Sequence, residues 1–251
     1  MAASAKELFK NADTAVYTVK RSGKNAVMMY SVDNYHHDPQ PSYKSGYSEH
    51  ANTIFALTAA VDSKDHYTAQ HSQNVAYYAS ELAKAAGMDS NLVEIVKEAS
   101  MLHDIGKISV REDILNKPGK LTPDEYDVMK SHVENAVNII RYLPSLDYVI
   151  PTVLSHHERY DGTGYPRQLA GEAIPIMGRI LAIADAYDAI TSARSYKDAF
   201  STVDAVNILK AESGKQFDPH LVEIFVDLVE SNRLEVKSQR PGTIVPPDEG
   251  V

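Results

Sequence analysis

The sequence contains no cysteine and no tryptophan among its 251 residues. Without cysteine it can form neither a disulfide bond nor a thiolate metal site, so any bound metal has nitrogen and oxygen ligands. Acidic residues outnumber basic ones, and the net charge of −9 argues against general binding to nucleic acid or to a membrane surface. An anionic substrate would therefore need positive charge placed locally, by metal ions or by a few Arg and Lys side chains.

Long apolar runs are also missing from the sequence. No window approaches the roughly 18 uncharged apolar residues of a membrane span, and the first residues, M-A-A-S-A-K-E-L-F-K, lack the apolar core of a secretory signal. We therefore expect no membrane segment in this fragment and a cytoplasmic location. The content of 43% apolar and 24% charged residues is ordinary for a globular protein.

The pattern along the chain predicts four segments. Residues 1–33 carry apolar positions at helical spacing and then a short apolar run, which predicts a helix and a strand. Residues 34–48 are rich in Pro, Tyr, His, Ser and Gly and are predicted to form a linker. Residues 49–233 are helical in pattern almost throughout, so the predicted fold class is all-α, and residues 234–251 are predicted to be a disordered tail.

Two helices of the long segment carry clear boundary signals. An apolar helix from Asn91 is expected to continue through an adjacent His-Asp pair as far as Ile105. Further along, Thr122 as N-cap and Glu125 three residues later predict a capping box that starts a helix reaching about Tyr142.

Several histidines and aspartates fall on or next to apolar helices. Each one alone has an ordinary explanation, such as a surface histidine, but a buried carboxylate without a partner costs several kcal/mol. Together they are tolerable only if they share a bound cation. The predicted ligands are His71, His103, Asp104, His132, His156, His157 and Asp185.

This set is too large for one ion, and two ions roughly 3.5–4 Å apart with a bridging carboxylate would use all of it. We predict Asp104 as the bridge. One ion would also bind His71, His103 and Asp185, and the other His132, His156 and His157. Imidazole and carboxylate ligands suit Fe or Mn, with Zn or Ni as alternatives, and the sequence does not choose among them.

A water bridging two such ions would be an activated nucleophile, with Asp104 and Lys107 as the predicted catalytic residues. Lys107 should return to the edge of the site, where its charge would favour an anionic substrate. The other predicted substrate contacts are Tyr165, Arg179, Arg194 and Lys197. Arg194 and Lys197 could continue the helical side of Asp185 or its exit, and the alternative for both is a solvated helix end. No general acid is assigned.

The loop that holds Tyr165 should be preformed, because Gly162 and Gly164 allow positive φ and Pro166 fixes its own backbone angle. Tyr165 could stack on a base or dock another domain. Glu158 and Asp161 are expected to fix the loop.

Read together, these motifs resemble the HD-GYP branch of the HD metal-dependent phosphohydrolases. The resemblance rests on H-D-I-G-K from His103, L-N-K-P-G-K-L-T from Leu115, H-H-E-R-Y-D-G-T-G-Y-P from His156, and A-D-A-Y-D from Ala184. It implies an HD-type helical bundle, a cyclic dinucleotide as ligand, and a phosphodiesterase that linearises cyclic di-GMP to pGpG and often continues to GMP.

Some members of that branch have a glutamate one turn before the first histidine, where it helps to hold a third metal. Tyr67 stands there in this sequence, which favours two ions and puts efficient formation of GMP in doubt. A binding module that turns over slowly, and a phosphodiesterase for another nucleotide such as cyclic GMP-AMP, are the alternatives.

Residues 1–33 resemble the last helix and strand of a GGDEF domain, through A-D-T-A-V-Y and G-K-N-x-V. This resemblance implies a fragment of a longer protein, with a GGDEF domain as a predicted partner. A second copy of the chain is a separate predicted partner. The alternative is a helix and strand unrelated to that domain.

Overall fold

The computed structural model describes residues 47–62, 64, 68–192 and 200–235. The predicted N-terminal remnant, all of the linker but its last two residues, and the tail from residue 236 onward lie outside the described residues. Those described are helical, and the predicted all-α class is confirmed. No helix in the described ranges combines the length and apolarity needed to cross a membrane.

Ten α-helices follow one another along the described chain. They are α1 Tyr47–Asp62, α2 Thr68–Ala85, α3 Ser90–Leu102, α4 Glu112–Leu115, α5 Pro123–Lys130, α6 His132–Ile140, α7 Ile150–Ser155, α8 Ile176–Thr191, α9 Thr202–Ala211 and α10 Pro219–Glu230. Short 3-10 helices span Ile105–Ser109, Pro144–Val149 and Gly171–Ala173.

The predicted capping box of α5 is present. The Thr122 hydroxyl accepts a hydrogen bond from the Glu125 N–H at 3.3 Å, and the Glu125 carboxylate accepts one from the Thr122 N–H at 2.7 Å. The predicted single helix to Tyr142 is wrong, however, because the chain divides into α5 and α6 at Ser131. The Ser131 N–H and hydroxyl both bond the carbonyl of Val128, three residues earlier, which tightens the turn between the two helices.

Helix α3 also ends earlier than the sequence predicts. Its last residue is Leu102, and Asp104 has φ −98° and ψ 2°, so it lies in the turn that leads into the first 3-10 helix. Asp104 therefore leaves the helical backbone geometry that His103 still has.

The core lies where α2, α3, α8, α9 and α10 meet. Tyr78 of α2 packs edge-on against Tyr187 of α8 at 5.1 Å between ring centroids, and Tyr187 packs against Phe225 of α10 at 4.9 Å. All three side chains are fully buried, and burial of a large apolar side chain contributes about 1.5–3 kcal/mol each. These contacts hold α8 against α2, and the two helices carry the acidic and imidazole groups that face each other at one end of the core.

Candidate metal centre

All seven predicted ligands meet at one place, although they come from five separate elements. His71 lies in α2, His132 is the first residue of α6, and Asp185 lies in α8. His103 and Asp104 follow α3, and His156 and His157 follow α7. Ligand atoms lie within 4.8 Å of one another in three groups: His71, His103 and Asp185; His132, His156 and His157; and His103, Asp104 and His156. The first two groups coincide with the ligand sets predicted for the two ions.

The two oxygens of the Asp104 carboxylate face different groups. Oδ1 lies 3.5 Å from Nε2 of His132, whereas Oδ2 lies 3.3 Å from Nε2 of His103 and 4.0 Å from Nε2 of His71. A carboxylate placed in this way can offer one oxygen to each of two cations, as the predicted bridge requires.

Gly106 sets the approach of Asp104 to His132. A Cβ atom on Gly106 would lie 1.8 Å from the carbonyl oxygen of His132 and 2.5 Å from the backbone nitrogen of Ala136. Only glycine therefore allows the first 3-10 helix to pack this closely on the first turn of α6.

Backbone carbonyls orient three of the imidazole rings. Nδ1 of His103 lies 2.7 Å from the Ser100 carbonyl, and Nδ1 of His132 lies 2.7 Å from the Met129 carbonyl. Nδ1 of His156 lies 2.6 Å from the Val153 carbonyl. A carbonyl only accepts, so each Nδ1 carries a proton, and in the neutral form of the ring Nε2 keeps its lone pair. These three Nε2 atoms are buried and have no hydrogen-bond partner among the described residues. Buried lone pairs that converge without donors fit divalent cations, which makes this donor set suitable for a metal centre.

Asp188 orients the His71 ring, and sequence reasoning missed it. Its side chain is fully buried, with Oδ2 2.7 Å from Nδ1 of His71 and Oδ1 accepting a hydrogen bond of 2.8 Å from the amide of Asn74. The signal was present in the sequence, because Asp188 follows Asp185 by three residues in an apolar helix and therefore shares its face.

The electrostatics of the two halves differ. Burial lowers the pKa of His71, but the neighbouring carboxylates of Asp185 and Asp188 outweigh it and raise that pKa to about 9. For His157 burial dominates, supported by repulsion from His132, and lowers its pKa to about 3. The rings of the His157 half are therefore neutral and ready to bind a cation at neutral pH, whereas His71 holds a proton that a cation must displace.

The carboxylates of the site ionise readily despite their burial. Burial raises the pKa of Asp104, but His103 and Lys107 lower it well below the usual value. The Lys107 ammonium lies 2.7 Å from Oδ2 of Asp104, which places this predicted substrate contact at the edge of the site.

The loop that follows His157 is held by Glu158, as expected. The Glu158 carboxylate is buried and accepts hydrogen bonds from the backbone N–H groups of Arg167 at 2.7 Å and Leu169 at 3.0 Å. Asp161 accepts hydrogen bonds from the N–H and hydroxyl of Thr163 at 3.0 and 2.6 Å, which closes the tip of the loop.

The two glycines of this loop have different roles. Gly162 has φ +81° and uses the conformational freedom that glycine allows. Gly164 is not among the positive-φ residues and does not use it. Glycine is needed at 164 because an added Cβ would lie 2.3 Å from the backbone nitrogen of Arg159. The Tyr165 ring then stacks on the His157 ring at 4.8 Å and an angle of 27°.

Of the remaining predicted substrate contacts, one is paired with another side chain and two lie outside the described residues. Arg179 donates to the Ile174 carbonyl at 3.0 Å and pairs with the Asp218 carboxylate, which also caps α10. Helix α8 ends at Thr191, and Arg194, Lys197 and Tyr67 lie outside the described residues.

Comparison with known proteins identifies the family. The family model described as "HD domain" matches residues 56–221. A 3'3'-cGAMP-specific phosphodiesterase 2 from Vibrio cholerae is 41% identical over 69% of this chain and 34% of its own length. A cyclic di-GMP phosphodiesterase from the same organism is 40% identical over 70% of this chain and 39% of its own length. The chain thus spans between a third and two fifths of the length of these two curated relatives.

The fold agrees with this match. The crystal structure of a cyclic GMP-AMP specific phosphodiesterase of V. cholerae is similar with a TM-score of 0.58 at 20% identity, over 73% of this chain and 49% of that one. The GGDEF-like character of residues 1–33 is not shown by these comparisons. The matched range contains all seven residues of the metal-ligand cluster, and the chain belongs to the HD domain family.

Proposed function

We propose that the protein is a metal-dependent phosphodiesterase that hydrolyses cyclic di-GMP to linear pGpG. The observation that carries this proposal is the Asp104 carboxylate, whose two oxygens face two separate groups of buried imidazoles. Two divalent cations bound there would neutralise the charge of the phosphodiester and activate water.

The residues of the chain prepare the site for this chemistry. The carbonyl-bound Nδ1 atoms fix the tautomer of His103, His132 and His156, so no ring has to turn when a cation binds. The Lys107 ammonium lies where a phosphate oxygen would approach the Asp104 edge, and its positive charge favours an anion at that point. Arg194 and Lys197 are proposed as further phosphate contacts beyond the end of α8.

A second substrate, 3'3'-cyclic GMP-AMP, has a specific observation in its favour. The relative that is 41% identical is named for that substrate, whereas the one that is 40% identical is named for cyclic di-GMP. Both substrates contain the same phosphodiester, so the metal centre serves either one, and selection between them must come from contacts with the bases.

The finer assignments extend the same proposal. Iron or manganese suits the nitrogen and oxygen ligands of this site. A GGDEF domain and a second copy of the chain are proposed partners, and the cytoplasm is the proposed location.

Hydrolysis tests the proposal directly. The purified chain, loaded with Mn²⁺ or Fe²⁺, is incubated with each cyclic dinucleotide, and the products are separated by chromatography. His103→Ala should reduce turnover more than about tenfold, since a lost metal ligand costs at least that much. His220→Ala is the matched control, because His220 is an exposed histidine on α10.

Two results would contradict hydrolysis as the function. A loss of less than about tenfold in His103→Ala would remove the metal centre from the mechanism. Tight binding of cyclic di-GMP without product over hours would instead identify a sensor module.

A further inference from the structure

Helix α5 lies beside the metal centre and has no buried residue. It nevertheless carries an aromatic side chain, Tyr126, that is 48% exposed. The capping box already stabilises the start of this helix, and an exposed ring adds no core packing. The Tyr126 ring is therefore accessible at the surface of α5.

A chain of ring contacts connects Tyr126 to the predicted ligands. The His157 ring stacks on Tyr165, and Tyr165 meets Tyr126 at 6.4 Å between centroids with an angle of 81°. Two nearly perpendicular rings form a corner that can receive a flat group with its face on one ring and its edge on the other. One side chain, Tyr165, therefore joins this corner to the predicted ligand His157.

The Lys130 ammonium lies over the Tyr126 ring, 5.1 Å from its centroid, and pairs with the carboxylate of Asp127 at 2.6 Å, one turn earlier on α5. This ion pair adds no net charge to the corner, so the corner offers a ligand ring stacking and not attraction for a phosphate.

We infer that Tyr126 is a substrate-binding residue that stacks on a nucleobase of the substrate, in a corner that it shares with Tyr165. This inference rests on the proposed function, because it places a phosphate of the same substrate at the metal centre. In a nucleotide the ribose separates the base from the phosphate, so a surface that binds the base must lie beside the metal centre and not on it. The Tyr126 corner lies in that position.

Stacking of a base on Tyr126 has a defined consequence for substrate selectivity. Every base has an aromatic face, so stacking does not distinguish guanine from adenine. Tyr126 should therefore strengthen binding of cyclic di-GMP and of 3'3'-cyclic GMP-AMP to a similar degree. Tyr126 should instead discriminate between a nucleotide and a phosphate ester that has no base.

Steady-state kinetics give the first test. Loss of a stacked ring weakens binding by about 5- to 140-fold, and we expect Tyr126→Ala to raise KM for both dinucleotides at least about fivefold, with little change in kcat. Tyr126→Phe keeps the ring and should keep the wild-type KM. Tyr142→Ala is the matched control, since Tyr142 is 87% exposed just beyond the end of α6.

Equilibrium binding gives a second test that does not depend on turnover. In the Mn²⁺-loaded protein, Tyr126→Ala should weaken binding of GMP and AMP by the same factor and leave binding of ribose 5-phosphate unchanged. Equal weakening of all three ligands would mean that Tyr126 only supports the site, and unchanged binding of GMP would mean that it does not contact the base. Either result overturns the inference. Failure of the wild-type protein to hydrolyse a dinucleotide would contradict the proposed function instead, and the binding test would still decide the role of Tyr126.

Discussion

Replacement of Asp188 by asparagine should weaken one of the two proposed cation sites and spare the other. Asp188 touches no cation itself, but it fixes the proton of His71 on Nδ1 and so leaves Nε2 available. Asparagine has the same shape, so the variant tests the hydrogen bonding and not the packing.

The amide introduced by Asp188→Asn cannot satisfy both neighbours of the carboxylate. If its oxygen accepts from Asn74, its NH₂ faces Nδ1 of His71 and moves the ring proton to Nε2, which then cannot bind a cation. If its oxygen accepts from His71, its NH₂ faces the NH₂ of Asn74. A flip of Asn74 would relieve that clash only by breaking the 3.0 Å hydrogen bond from Gln70 to its side-chain oxygen.

The expected magnitude follows from the loss of such an orienting partner, which costs roughly 10- to 100-fold in metal affinity, or about 1.4–2.7 kcal/mol. Calorimetric titration of the metal-free protein with Mn²⁺ should show one site weakened by this factor and one unchanged. Asp227→Asn is the control, because Asp227 is an exposed carboxylate of α10 that pairs with Arg233. Asn74→Ala, which removes only one donor to Asp188, should have a smaller effect. Two unchanged sites in a folded Asp188→Asn protein would refute the reasoning.

Two further predictions concern the approach of α6 and the proton on His71. Gly106→Ala should lower stability by about 1–3 kcal/mol, because its methyl group meets the backbone of His132 and Ala136 and must displace α6. The control is Gly87→Ala, which strains the backbone at φ +77° but meets no atom within 4 Å. The metal content by elemental analysis should fall in Gly106→Ala below that of this control. The pKa of His71 is raised to about 9, so this ring is protonated near neutral pH. Binding of a cation at neutral pH should therefore release protons, and the affinity of the protein for the cation should rise with pH up to about 9. Calorimetry in buffers of different ionisation enthalpy measures the release, and an affinity independent of pH between neutrality and about 9 would contradict it.

The sequence was most informative where polar groups interrupt apolar helices. His103-Asp104 and Asp185 stood out because burial of such groups is costly without a cation, and the structure places them together. Asp188 has the same character, but its partner His71 lies 117 residues away in the chain, and helical spacing alone does not reveal a contact between two distant helices.

Local geometry was the least predictable part. The division at Ser131 depends on a bond to the carbonyl three residues earlier and on the close packing of Gly106 against the next helix. Neither feature changes the hydrophobic pattern, so the periodicity indicated one helix. Arg179 stays a predicted substrate contact, and its pairing with Asp218 at the start of α10 joins two residues 39 apart that the helical pattern does not connect.

The carbonyl contacts of the imidazoles have a consequence for the order in which the site is assembled. His103, His132 and His156 each bond a carbonyl only three residues earlier, so their tautomers are chosen as soon as the local turn forms. His71 takes the partner of its Nδ1 from α8, which the ribosome delivers more than a hundred residues later. During synthesis, the half of the site around His132 can therefore be preset early, while the half around His71 is completed only when α8 docks against α2.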